Sequence, residues 1–231
     1  MGQAKLRRAN DPLYGQTPED ARAKIALAVH SVVLPPLGTC LTRAVLTELA
    51  LRTLNIPAEL MIGAMIYRAG PDERRDVIAF CGPHNQAYLR GIDADLERGI
   101  RNIPGIDNGG FLGHVWIKSR NSLVDFSPSD WPALAEVFQD MDGLGAIEWQ
   151  AKPPAFYWQS WESLTEPWRP TGSPEIGRVW YKPGIALTSP LQQAEVERQY
   201  GAMASEALDR IRDLGLFRVV ANNLRQLGLL R

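Results

Sequence analysis

Hydrophobic positions along this chain first recur with a helical period, then form short extended runs, then become helical again. Thr17-Pro18-Glu19-Asp20 has the make-up of a helix start, with Thr as N-cap, Pro at the first helical position and carboxylates in the first turn. Ile25, Ala28, Val29 and Val32 fall on one face of that helix, which is predicted to reach about Val33 before Pro35-Pro36 stops it. A second helix is predicted from about Cys40 to Leu54. Its apolar residues, among them Leu41, Ala44, Val45, Leu46, Leu49, Leu51 and Leu54, spread around the axis, which is the pattern of a buried central helix. Asn55 and Ile56-Pro57 mark its end.

Strand signals follow. Ala58 to Tyr67 is a nearly continuous apolar run closed by Ala69-Gly70-Pro71, and Asp76 to Cys81 is a short strand. His114 to Lys118 and Leu123 to Phe126 are predicted to pair across the polar turn Ser119-Arg120-Asn121-Ser122, with Pro128 ending the second strand. Pro132 to Gln139 suits a short helix. Residues 149–180 are rich in Trp, Tyr and Pro and assign to no element. Pro190 to Leu214, after a Ser189 cap, and Phe217 to Leu230 return to the helical period. The expected class is α+β in a single domain, 1–231.

Composition narrows the function classes. A chain of 231 residues can bury a full core without staples. A formal net charge of -1 argues against a nucleic-acid partner, and no run reaches the roughly 20 apolar residues of a membrane span. The first residues, Met1 to Arg8, carry no apolar stretch of a secretory signal, and Leu6 replaces the Ser or Thr of a myristoylation motif. Cys40 and Cys81 are too few for a disulfide framework, so both are expected as free thiols in a cytoplasmic protein.

Cys40 stands at the mouth of the buried helix, and His114 and Asp125 stand on the paired strands. A thiol attacks a carbonyl as thiolate, which a helix N-terminus and a neighbouring imidazole both favour. The imidazole in turn needs its tautomer fixed by an acceptor on its other nitrogen. Asp125 lies eleven residues beyond His114 across a short turn, close enough on antiparallel strands to be that acceptor.

Other residues have plainer readings. Cys81 reads as structural, His30 as a core-edge helix residue, and His84 as a loop residue that can line a pocket. Asp125 alone also suits a strand-end cap, and Trp116 suits either a wall of the site or ordinary core. Asp140-Met141-Asp142-Gly143 fails as a calcium loop, because alignment on Gly143 puts Phe138 and Trp149 at ligand positions. No nucleotide or paired-His motif is present, so neither a cofactor nor a metal is expected. The aromatic residues from Phe156 to Trp168 suit core, a wall over the thiol or a partner surface. The Gly105 to Gly110 loop suits a lid.

Three segments carry a resemblance. Gly-x-Cys-x-x-x-Ala at 38–44 with Leu-x-Ile-Pro-Ala at 54–58 and Gly63, Gly-His-Val-Trp-Ile at 113–117, and Leu-Val-Asp-Phe-Ser-Pro at 123–128 resemble the Cys, His and Asp segments of transglutaminase-like cysteine enzymes. The resemblance covers roughly residues 25 to 130. It implies a papain-like fold, with a Cys-bearing helix on an antiparallel sheet, a catalytic core over 17–130 and a C-terminal elaboration over 131–231. It also implies Cys40 as nucleophile, His114 as general base and acid, and Asp125 as orienting carboxylate.

Departures are Val115 where the family often has Ala, and a long insertion from Arg68 to Leu112. The amide of Cys40 is one oxyanion donor at a helix start. The papain-type Gln six residues upstream is Leu34 here, which leaves the second donor unassigned. The family contains cross-linkers, peptidases, amidases, acyltransferases and inactive relatives, so the fold does not choose the reaction. Three expectations stand: a hydrolase or acyl/amide transferase acting on a peptide, amide or acyl substrate; a non-catalytic peptide- or protein-binding module; and an acyltransferase with a coenzyme-bound donor.

Overall fold

The computed structural model describes residues 13, 15–34, 39–72, 75–80, 113–138, 145–165, 175–183 and 190–230. The expected segment 105–110, Cys81, His84 and the 140–143 cluster lie outside these residues. The first helix, α1 (Pro18–His30), begins as its sequence dictates, with the Thr17 hydroxyl accepting from the Asp20 amide at 3.1 Å and Pro18 at the first helical position. The second, α2 (Thr39–Thr53), ends in a Schellman turn: the Ile56 amide donates to the Leu51 carbonyl at 2.8 Å and the Asn55 amide to Arg52 at 3.0 Å. Asn55 sits in the left-handed region with φ 58°, a conformation that Asn tolerates better than most residues.

One antiparallel sheet runs through the protein, built from β1 (Glu59–Arg68), β2 (Val77–Phe80), β3 (His114–Ser119), β4 (Ser122–Asp125), β5 (Tyr157–Ser160) and β6 (Val179–Pro183). Residues 65–67 of β1 pair with β2 on one edge and β6 on the other, while Gly63 pairs with both His114 of β3 and Pro183 of β6. Strands β2 and β3 therefore share one edge of β1, one after the other in the same lane. In that lane β2 ends at Phe80 and β3 begins at His114. Strands β4 and β5 extend the sheet beyond β3.

Side-chain alternation gives the sheet two buried faces. Leu60, Ile62, Val115, Ile117, Val124 and Trp158 face a helical layer of α1, α2, α5 (Pro190–Asp213) and α6 (Leu216–Gln226), where Ile25, Val29, Val45, Leu51, Val220 and Leu224 complete the core. On the opposite face, Met65, Tyr67, Trp116, Leu123, Tyr157 and Tyr181 pack under α3 (Trp131–Phe138) and α4 (Trp161–Thr165), which supply Trp131, Leu134 and Leu164. Helix α2 is buried on nearly every side, as the spread of its apolar residues around the axis predicts, and lies between β3 and α5.

The α+β class, and a Cys-bearing helix packed on an antiparallel sheet, are thus present. The region 149–180, which its pattern left without elements, contributes β5, α4 and the start of β6 to the same sheet and core. Gly63 is where backbones approach closest. A Cβ there would lie 1.9 Å from the Lys182 carbonyl oxygen and 2.7 Å from the Trp116 ring. Among the described residues no helix is long and apolar enough to cross a membrane.

Candidate active site

Two strands and one helix start converge on His114. Cys40 is the second residue of α2, half-buried, within the turn whose amides lack intrahelical partners. Helix α1 carries Glu19 and Asp20 in its first turn, but α2 has no acidic residue in its own. The positive end of the α2 dipole is left without a compensating carboxylate from that turn, which favours negative charge at this position.

His114 opens β3 and is fully buried; Asp125 closes β4 and is buried with it. In the β3–β4 register Ile117 faces Val124, which makes Asp125 the diagonal rather than the direct neighbour of His114. Both point to the face opposite the helical layer, and the diagonal is still within side-chain reach. His114 Nε2 and Asp125 Oδ2 are 2.6 Å apart.

The carboxylate is saturated. Oδ2 also accepts from the Tyr181 hydroxyl at 2.8 Å, while Oδ1 accepts from the Ser127 amide and the Ser127 hydroxyl, each at 2.8 Å. Trp131 Nε1 donates to the Ser127 oxygen at 3.3 Å and fixes that hydroxyl in turn. Burial pushes the Asp125 carboxyl up, but the charge and hydrogen bond of His114 and the two bonds from Ser127 outweigh it and hold the carboxyl below its ordinary range. Burial pushes the imidazole down; the Asp125 charge and hydrogen bond, helped by the Cys40 thiol, lift it to about 9. Burial and the Asp125 charge push the Tyr181 phenol well above its usual value, so it remains an O–H donor.

With Nε2 engaged, His114 Nδ1 is buried without a hydrogen-bond partner. The thiol of Cys40 is close enough for its hydrogen bonding and charge to raise the His114 pKa, yet no aligned bond closes on Nδ1. Around the ring stand Phe80, stacked at 5.2 Å between centroids, Trp116 at 6.0 Å, Trp131 at 6.0 Å and Tyr181 at 5.9 Å. Trp116 is therefore both core and a wall of the site.

His30, expected as a core-edge residue within the first helix, is half-buried and is its last residue, since α1 stops short of Val33; its Nε2 donates to the Phe126 carbonyl oxygen at 2.8 Å. No group of three or more His, Cys, Asp or Glu residues suited to a metal occurs among the described residues.

Sequence reasoning places Cys40, His114 and Asp125 but misses Ser127, Trp131, Phe80 and Tyr181. Ser127 had a local signal, since a Ser two residues after an Asp suits a side-chain-to-backbone turn. Tyr181 had none, because it reaches Asp125 only through the pairing of β6 with β1 and of β1 with β3. No family model, no curated protein and no solved structure matches this chain.

Proposed function

We propose that the protein is a cysteine-dependent hydrolase or acyl/amide transferase that works through a thioester on Cys40. The observation that carries this reading is the unequal use of the His114 ring: Nε2 is bound to a saturated carboxylate, and Nδ1 is buried and open beside a thiol. A structural buried pair normally satisfies every polar atom. Asp76 is such a case: fully buried, it accepts from the amides of Asp72 and Glu148 and from the Arg75 side chain.

The steps follow from the two nitrogens. The Cys40 sulfur attacks a carbonyl carbon as thiolate, its proton already held on Nδ1 of the imidazolium, forming a C–S bond and an oxyanion. Collapse of the oxyanion breaks the bond to the leaving amine or alcohol, which takes that proton. Water or an amine then attacks the thioester, gives its proton to Nδ1, and the second collapse returns the sulfur. Asp125 stabilises the imidazolium throughout without taking its proton. The amide of Cys40 is a natural oxyanion donor in the first turn of α2.

The test is alkylation with iodoacetamide at pH 6.5, followed by a screen of esters, amides and glutamine side chains. The native chain should label at Cys40 far faster than a free thiol, and both Cys40→Ala and His114→Gln should lose the fast phase. Fast labelling of Cys81 instead would give the nucleophile role to the wrong residue. A second reading, a peptide- or protein-binding module, draws support from the complete burial of the His114 ring. It anticipates a slow Cys40 and saturable binding without turnover.

A further inference from the structure

We propose that Arg43 is a positioning residue, which through Asp130 holds the start of α2 in register with the strand that carries Asp125. The inference rests on the reading of Cys40 as nucleophile and adds to it a residue with no contact to the reacting atoms.

Arg43 lies one turn beyond Cys40 on α2 and is only 4% exposed. Its three nitrogens make five hydrogen bonds. Nε donates to Asp130 Oδ2 at 3.1 Å, and Nη2 to Oδ1 at 3.0 Å and Oδ2 at 2.9 Å. Nη1 donates to the carbonyls of Val29 at 3.1 Å and Val32 at 3.0 Å, at the end of α1. Asp130 closes the short turn Pro128–Asp130, and its amide donates to the Ser127 carbonyl at 2.8 Å. Ser127 is the residue that binds Asp125 Oδ1 through both its amide and its hydroxyl. An unbroken chain of short polar contacts thus runs from the Cys40 helix through Arg43, Asp130 and Ser127 to Asp125 and His114. The His30 bond to the Phe126 carbonyl ties the end of α1 to the same stretch.

The choice of residue argues for geometry over stability. A buried ion pair costs desolvation that its attraction often only offsets, and apolar replacements are frequently as stable. Helix α2 is otherwise apolar wherever it is buried, apart from Thr47, so a leucine-like residue at position 43 would suit the core. A planar guanidinium fork instead fixes distance and orientation to a carboxylate, which an aliphatic contact does not. Helix α2 can slide along β3 by about 1.5 Å per residue of register, and a displacement near 1 Å typically costs about 100-fold in rate.

The experiment compares iodoacetamide alkylation of Cys40 across pH 5.5 to 10 in the native chain, Arg43→Lys and Asp130→Asn, with denaturant unfolding of each. Lys keeps the charge without the fork; Asn keeps the shape without the charge. Both variants should alkylate Cys40 about 10- to 100-fold more slowly at pH 6.5 and recover the native rate near pH 10, where alkaline solution alone turns thiols to thiolates. Loosened folding would instead speed the labelling of Cys40 and Cys81 at every pH. Native pH–rate profiles in both folded variants overturn the proposal. If Arg43→Lys does not fold, Asp130→Asn alone decides, because its carboxylate side is partly exposed. A native chain without a fast Cys40 refutes the nucleophile itself, an outcome distinct from a fast native thiol that ignores both substitutions.

Discussion

Replacing Asp125 by Asn removes one charge from a fully buried pair and leaves the shape of the site almost intact. In the native chain the His114 imidazole rises from 6.5 to about 9, chiefly because the Asp125 charge and hydrogen bond overcome burial. At about 1.36 kcal/mol per pH unit, that rise is worth roughly 3 kcal/mol of folding stability. The sign follows from its direction. A group whose pKa is higher folded than unfolded contributes fully below pH 6.5, and the contribution disappears as pH climbs through about 9. In Asp125→Asn the carboxylate no longer opposes burial, so the ring falls back toward its neutral form and most of this contribution is lost. Denaturant unfolding from pH 6 to 9.5 should therefore show the native chain losing roughly 3 kcal/mol more than the variant across that window. Groups that do not interact with Asp125 or His114 titrate alike in both proteins and cancel in the difference. Parallel stability curves would refute the claim that the two side chains form a buried imidazolium–carboxylate pair.

Two further outcomes test the frame around the site. Gly63→Ala should destabilise by about 2 kcal/mol or more, because its methyl meets the Lys182 carbonyl oxygen at 1.9 Å and no rotamer can relieve a backbone clash; denaturant midpoints read the loss. Asn55→Gly should raise the melting temperature through a gain of up to about 1 kcal/mol, since glycine adopts the left-handed turn at φ 58° without a Cβ penalty; an unchanged or lower value contradicts the Schellman assignment.

Much of the architecture could be read from local pattern. The caps of α1, the all-round apolar character of α2, the Asn55 stop and the β3–β4 hairpin each depend on residues a few positions apart. Cys40, His114 and Asp125 were legible for the same reason. One sits at a helix start and the other two on strands joined by a tight turn, so short-range spacing fixes their elements. Arg43 left a trace, as a charge in the first half of a largely apolar helix, but its partner Asp130 lies 87 residues away.

What only the tertiary structure decided is how the acid–base pair is held. Tyr181 reaches Asp125 across two strand pairings, Phe80 stacks on His114 because β2 and β3 occupy one lane, and β5 and β6 find their places only by pairing with β4 and β1. Sequence determined which side chains stand at the ends of which elements, because caps, turns and periodicity act over one or two turns of chain. Long-range strand pairing determined which nitrogen of His114 is occupied and which is open, because hydrogen-bond saturation of a buried carboxylate is a property of everything that surrounds it.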